Sequence, residues 1–381
     1  MKLLGSAIAG TVATGLLLIA HPARAEVKVA IDLALTGPTA TIIAPHKRAW
    51  DILPKELGGE PAKYFIVDDH GDPTEAVKQV RRLILEENVD LILAAGTTPI
   101  CTAVSEVALE VKRPLMCMSP VAVSKDAAHW VFSTPPRSAV LLQPLVNHMK
   151  SANVKTLGFI GFTDSLGEVD LKTLSALAPE AGIKIVGSER FERTATSVAA
   201  QVLKIMSAKP DAVYIGASGT PAVLPHTTLR EHGYKGQIYH SNAVLVPDFL
   251  RVGGKTVNGT IAVSSPLFLL DQLPDSDPSK KAGQDFAKMW DPVHGAQTRN
   301  AFAGYSFDAY LILNQAVAKA LKVAKPGTSE FRTALRDALE QTKEVVGANA
   351  VYTMSPTDHN GVDNRAVHLI KLDNGAWKLM Q

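Results

Sequence analysis

The sequence predicts an α/β protein of two doubly wound parallel-sheet lobes. Three observations carry that prediction. Apolar strands alternate with helical stretches from Val27 onward, the same alternation restarts at Val154, and a segment of the first half is echoed in the second. Asp90-Leu-Ile-Leu-Ala-Ala-Gly-Thr97 and Asp211-Ala-Val-Tyr-Ile-Gly-Ala-Ser-Gly-Thr220 both run from an acidic strand start to a Gly-Thr turn. Continuous apolar strands, rather than alternating ones, belong to parallel sheets covered on both faces. About 350 residues after a leader exceed one ordinary core, and two lobes follow.

In order along the chain, 27–35 reads as a strand stopped by Thr36-Gly37-Pro38, and 43–57 as a helix ended by Gly58-Gly59. A strand over 63–68 precedes a helix whose N-cap is Asp72, with Pro73 at N1 and Glu75 in the first turn. Its buried face should hold Ala76, Val80, Leu83 and Ile84, which recur at helical spacing. Strand 90–95, helix 99–111 and strand 115–118 complete the first half. Ser133-Thr-Pro-Pro-Arg137 reads as a stiff crossover. The second half predicts strands at 155–161, 183–188 and 211–217 and helices at 168–178, 198–207 and 222–232. An exposed loop over 271–281 should precede helices at 305–323 and 329–342.

Residues 1–25 read as a secretory signal peptide. Lys2 starts an apolar run interrupted by Gly5, Gly10 and Gly15, and Ala23-Arg24-Ala25 offers the small side chains a signal peptidase requires. No cysteine follows the cleavage site, which argues against a lipid anchor. Removal of Lys2 and Arg24 leaves 37 basic residues against 37 acidic. That balance argues against nucleic acid or an anionic membrane as the main partner. Cys101 and Cys117 would meet an oxidising compartment. The sequence leaves open whether they form a disulfide or remain two buried thiols, since it does not give their separation in space.

Ligands of open parallel sheets bind beyond the carboxyl ends of the strands. Gly96-Thr97-Thr98-Pro99 lies there, with Thr98 as expected N-cap and free N–H groups suited to a carboxylate. Ser119-Pro120-Val121-Ala122 ends the neighbouring strand. Enzyme signatures are missing: no phosphate loop, no dinucleotide fingerprint, no zinc spacing and no nucleophile elbow occur. No catalytic residues, metal or cofactor are expected.

Ordered motifs then give the chain a family resemblance. Thr36-Gly37-Pro38-x-Ala40, Asp68-Asp69 with Asp72-Pro73-x-x-Ala76, Gly96-Thr97-Thr98 and Ser119-Pro120-x-Ala122 occur in sequence. Thr163-Asp164-Ser-Leu-Gly167, Tyr305-x-x-Asp308-Ala-Tyr310 and Val351-Tyr-Thr-Met-Ser-Pro-x-Asp358-His359-x-Gly361 follow. Together they resemble the periplasmic binding proteins of ABC transporters, of the leucine/isoleucine/valine-binding type.

The resemblance implies lobe I over 26–137 and 265–358, lobe II over 138–264 and 359–381, and three hinge crossovers near 134–140, 262–268 and 355–362. It implies a ligand cleft between the lobes, periplasmic localisation, a monomer, and delivery of a small molecule to an inner-membrane permease. The ligand-binding positions carry over to Thr98, to the Ser119–Ala122 turn with Val121, and to the first turn around Thr39–Thr41, with Ile42 lining the apolar part. Leu166, Ser218, Gly219 and Asn242 complete the expected site. Amino-acid binders of the family place an acid after the strand ending near Tyr239, where this chain has His240-Ser241-Asn242-Ala243. Leu166 replaces an aromatic clamp, and Val123 stands where a threonine is common. A buried ammonium without a counter-charge is costly. The expected ligand is therefore an aromatic or apolar acid without an amino group, its carboxylate on Thr98 and a distal oxygen read by Asn242 or Ser241. The alternatives are a branched-chain or other neutral amino acid, or a ligand sensor of the same fold.

Overall fold

The computed structural model describes residues 26–121 and 124–380. The signal-peptide assignment and positions Ala122 and Val123 lie outside the described residues. The first half forms β1 (Val27–Leu33), α1 (Ala40–Ile52), β2 (Glu56–Leu57), β3 (Glu60–Asp68), α2 (Pro73–Glu87), β4 (Leu91–Ala94), α3 (Thr98–Val111), β5 (Leu115–Cys117) and β6 (Val131–Ser133). These strands build one sheet in the order β2-β3-β1-β4-β5-β6, parallel except for β2.

The second half forms α4 (Ser138–Ser151), β7 (Thr156–Phe162), α5 (Ser165–Glu180), β8 (Lys184–Phe191), α6 (Ala199–Ser207), β9 (Ala212–Gly216), α7 (Val223–Glu231), β10 (Gln237–His240), α8 (Pro247–Gly253) and β11 (Ile261–Ser264). The chain then returns through α9 (Lys280–His294), α10 (Ala301–Ala320), α11 (Ser329–Glu340) and the short hairpin β12 (Val345–Val346) and β13 (Val351–Tyr352). It ends in β14 (His368–Asp373) and β15 (Ala376–Leu379). The second sheet runs β15-β14-β11-β10-β9-β7-β8, with β14 and β15 as an antiparallel extension. Two parallel α/β lobes are thus present, as the sequence predicts.

Local chemistry explains most of the agreement. Asp72 caps α2 by accepting from the N–H groups of Thr74 and Glu75, and Ala76, Val80, Leu83 and Ile84 face the core. The differences are also physical. Gly58-Gly59 does not end a helix. Both adopt positive φ and turn the chain between β2 and β3, a hairpin pair that glycine permits and other residues resist. Helix α1 stops at Ile52, before Pro54. Within the 271–281 loop, Leu273 and Ser279 are buried and α9 begins at Lys280. Helix α10 starts four residues before the predicted Tyr305, where Asn300 accepts from the Ala303 N–H.

Three connections carry the chain between the two sheets: β6 to α4, β11 to α9, and β13 to β14. The first and third are tied together. Asn360 Nδ2 donates to the Ser133 and Pro135 carbonyls at 3.0 and 2.9 Å, and the His359 ring stacks on Phe132 with centroids 4.1 Å apart. Tyr352 Oη lies 2.8 Å from Asp308 of α10 and 3.1 Å from the Thr134 carbonyl. The buried Asp308 also accepts from the Ala348 and Asn349 N–H groups, and burial pushes its carboxyl up to about 7. The Tyr-x-x-Asp spacing in α10 thereby anchors the crossover with one residue, while the other reaches the cleft.

Helix α5 approaches the end of β7 so closely that a Cβ on Gly167 would lie 2.0 Å from the Phe162 carbonyl oxygen. Gly167→Ala must push α5 outward. A thermal melt should show destabilisation of about 1–3 kcal/mol, the usual cost of overpacking; an unchanged melting temperature would mean α5 can shift freely.

Candidate ligand-binding site

A cavity of about 60 Å³, within a cleft partly open to solvent, lies between the carboxyl ends of the two sheets. Its first-lobe wall begins at α3. Thr97 takes the N-cap position with extended backbone and no side-chain cap bond, so Thr98 is the first helical residue rather than the cap. The Thr98 hydroxyl donates across to the Pro120 carbonyl at 2.8 Å, joining the turns that follow β4 and β5. Ser119 Oγ is buried and has no hydrogen-bond partner among the described residues. Ile42 of α1, Met118, and Phe302 and Tyr305 of α10 complete this side.

Leu166, Asp170, Arg193, Ser218, Ser241 and Asn242 form the opposite wall, and Pro135, Ser138 and Leu141 close the end near the first crossover. Asp164 caps α5 by accepting from the Leu166 N–H, and its other oxygen takes Arg193 Nε at 2.5 Å. The Arg193 guanidinium stacks 4.1 Å above the Phe162 ring and donates from Nη1 to Ser218 Oγ at 3.0 Å. Its Nη2 is buried and has no partner among the described residues. Burial lowers the Arg193 pKa and the Asp164 charge opposes the fall; an arginine still stays cationic.

Asp170 is the second charged group on the wall. Ser138 Oγ donates to one of its oxygens at 3.2 Å and Tyr214 Oη to the other at 2.7 Å. Burial pushes its carboxyl up to about 6, against the lowering effect of the Tyr214 and Ser138 hydrogen bonds. Asn242 donates to Tyr305 Oη at 3.0 Å, a contact between the wall after β10 and α10.

Of the positions named from sequence, the structure brings Ile42, Thr98, Ser119, Leu166, Ser218 and Asn242 to the cavity wall. Thr39 is buried at the N-cap of α1 but not on the wall. Val121 faces a separate depression beside the crossovers. Gly219 has positive φ, and a Cβ there would lie 3.3 Å from Ile42. The second lobe touches α1 at that point instead of lining the cavity. Arg193 and Asp170 were missed. Arg193 carries a usable signal, since it lies two residues past the β8 end at Phe191, where ligand-binding loops belong.

The family model for periplasmic binding proteins matches residues 26–376. The chain belongs to that family. Members are non-enzymatic binders that deliver small molecules to ABC permeases, and this chain is an extracellular ligand-binding receptor of the solute-binding class. An extracellular ligand-binding receptor from Rhodopseudomonas palustris is 39% identical, with 93% of this chain and 99% of that one covered and a TM-score of 0.90. A leucine-binding protein from Thermotoga maritima is 18% identical over 93% of this chain and 98% of its own, with a TM-score of 0.78. An R. palustris solute-binding protein solved with benzoate is also 18% identical, with coverage of 93% and 95% and a TM-score of 0.78. These last two share the fold. No curated protein matches the chain.

Proposed function

We propose that this periplasmic binding protein captures a small carboxylate with an apolar or aromatic body and no amino group, for import by an ABC permease. The observation that carries the reading is Arg193 Nη2, a buried cationic donor on the cavity wall with no partner among the described residues. Such a donor seeks an anion. Thr98 is a weaker anchor than the sequence suggests, because its hydroxyl proton is already given to Pro120. Ser119, whose hydroxyl has no partner among the described residues, supplements Arg193 from the first lobe. Ile42, Leu166 and Phe302 provide the apolar walls, and Asn242 or Ser241 meets a distal oxygen. A few polar anchors within apolar walls is the ordinary composition of a small-molecule site. The benzoate-bound relative is compatible with this class of ligand, although it shares only the fold.

One observation favours a second reading. Asp170 is a carboxyl on the wall, and an amino acid could set its ammonium there. A thermal-shift screen of the protein from Glu26 onward separates the two, with benzoate and phenylpyruvate set against leucine and valine. Ligand at a thousand times its dissociation constant stabilises the folded state by about 4 kcal/mol. Shifts confined to the acids without an amino group are expected; shifts with leucine or valine alone would reject the proposal.

A further inference from the structure

We propose that the Cys101–Cys117 disulfide positions the first-lobe ligand turns, so that its loss weakens binding beyond any effect on the fold. The inference rests on the reading of the cavity as the ligand site. Both cysteines are fully buried, with Cα atoms 5.9 Å apart. Cys101 lies in the first turn of α3, three residues after Thr98, and Cys117 is the last residue of β5, immediately before Met118 and Ser119. The bridge therefore fastens together the bases of the two turns that supply Gly96, Thr97, Thr98, Met118, Ser119 and Pro120 to the wall.

Thr98 and Ile100 are buried at the start of α3, but polar ties to it are few. Thr97 gives no side-chain cap bond, and Pro99 lacks an N–H. The Thr98–Pro120 hydrogen bond is the second tie between the turns, and it depends on their spacing. The bodies of the same elements are secured independently. Strands β4 and β5 pair from Ile92↔Leu115 to Ala94↔Cys117, and α3 buries Val104, Val107 and Ala108. Loss of the disulfide thus leaves the sheet in place but lets the helix terminus move. The ligand must then reorder both turns as it binds, and that cost appears as lost affinity.

The test compares the wild type with C101S/C117S, and with C101A/C117V, which refills the buried space should the first variant fold poorly. Amide hydrogen exchange is measured without ligand, and benzoate affinity by titration calorimetry. The Cys101 and Met118 amides, bonded to the Thr97 and Ala94 carbonyls, should exchange about tenfold faster or more in the variants, while those at 92–94 and 115–116 keep their protection. The benzoate Kd should rise about five- to tenfold. Unchanged exchange at the two turns, protection lost evenly throughout, or an unchanged Kd would overturn the proposal. If the wild type itself fails to bind benzoate, the ligand reading fails for that probe, and the exchange pattern alone decides the role of the disulfide.

Discussion

Arg193→Lys should weaken benzoate binding about tenfold, and Arg193→Met about a hundredfold, while benzamide binding stays weak and nearly unchanged in both. Hydrogen bonds to charged groups contribute about 1.5–3 kcal/mol, or roughly 10- to 100-fold in Kd. Lysine keeps the charge but loses the planar fork that serves Asp164, Ser218 and the ligand together. Methionine removes the charge and leaves Asp164 without its ion partner, so its melting temperature must be measured alongside. The lysine variant carries the test, because it keeps Asp164 paired. Benzamide separates charge from shape, since it fills the same space without an anion. Calorimetry with both ligands on all three proteins gives the answer. Equal benzoate affinity in wild type and Arg193→Lys would place the carboxylate elsewhere, with Ser119 the next anchor to examine.

How much of this was legible in the sequence depended on whether a signal was local. Apolar strands and the Asp72 cap act within a few residues, so β1, α2, β4 and α3 fall close to their expected places. Short strands beside long loops carry little pattern. Strand β6 has three residues and the β12–β13 hairpin two per strand, and neither is expected from periodicity. Gly58-Gly59 reads equally as a helix stop or a hairpin turn, and only the pairing of β2 with β3 separates the two. The site divides in the same way. Thr98, Ser119 and Leu166 follow strand ends inside recognisable turns. Asp170 lies in the second turn of a helix, and its role arises from Ser138 and Tyr214, 32 and 44 residues away in sequence. The cysteine pairing, open on sequence grounds, follows from strand β5 returning beside the start of α3.

Asp170 makes the sign of the pH dependence a test of ligand class. Its carboxyl, raised to about 6 by burial, is mostly ionised at pH 7.5 and mostly protonated at pH 5. Asp164, which holds Arg193, caps the same helix six residues earlier. A ligand carboxylate on Arg193 is therefore repelled by ionised Asp170. Like charges on one cavity wall oppose each other, so protonating Asp170 favours the bound carboxylate. Affinity for benzoate should rise as pH falls from 7.5 to 5, a window in which an aryl acid with a pKa of about 4 stays ionised. A ligand ammonium resting on Asp170 behaves oppositely, losing affinity as the carboxyl gains its proton. The other groups near this wall do not reproduce either trend. Burial holds the Tyr214 and Tyr305 hydroxyls far above this range. Asp308 titrates near 7, but its oxygens are turned to Ala348, Asn349 and Tyr352. Asp170→Asn removes the titration while keeping a polar group of the same size for Ser138 and Tyr214. Its benzoate affinity should be flat across the window and near the wild-type value at pH 5. A wild-type affinity that falls with acid, and flattens in the variant, would instead assign Asp170 to an ammonium and the protein to an amino acid.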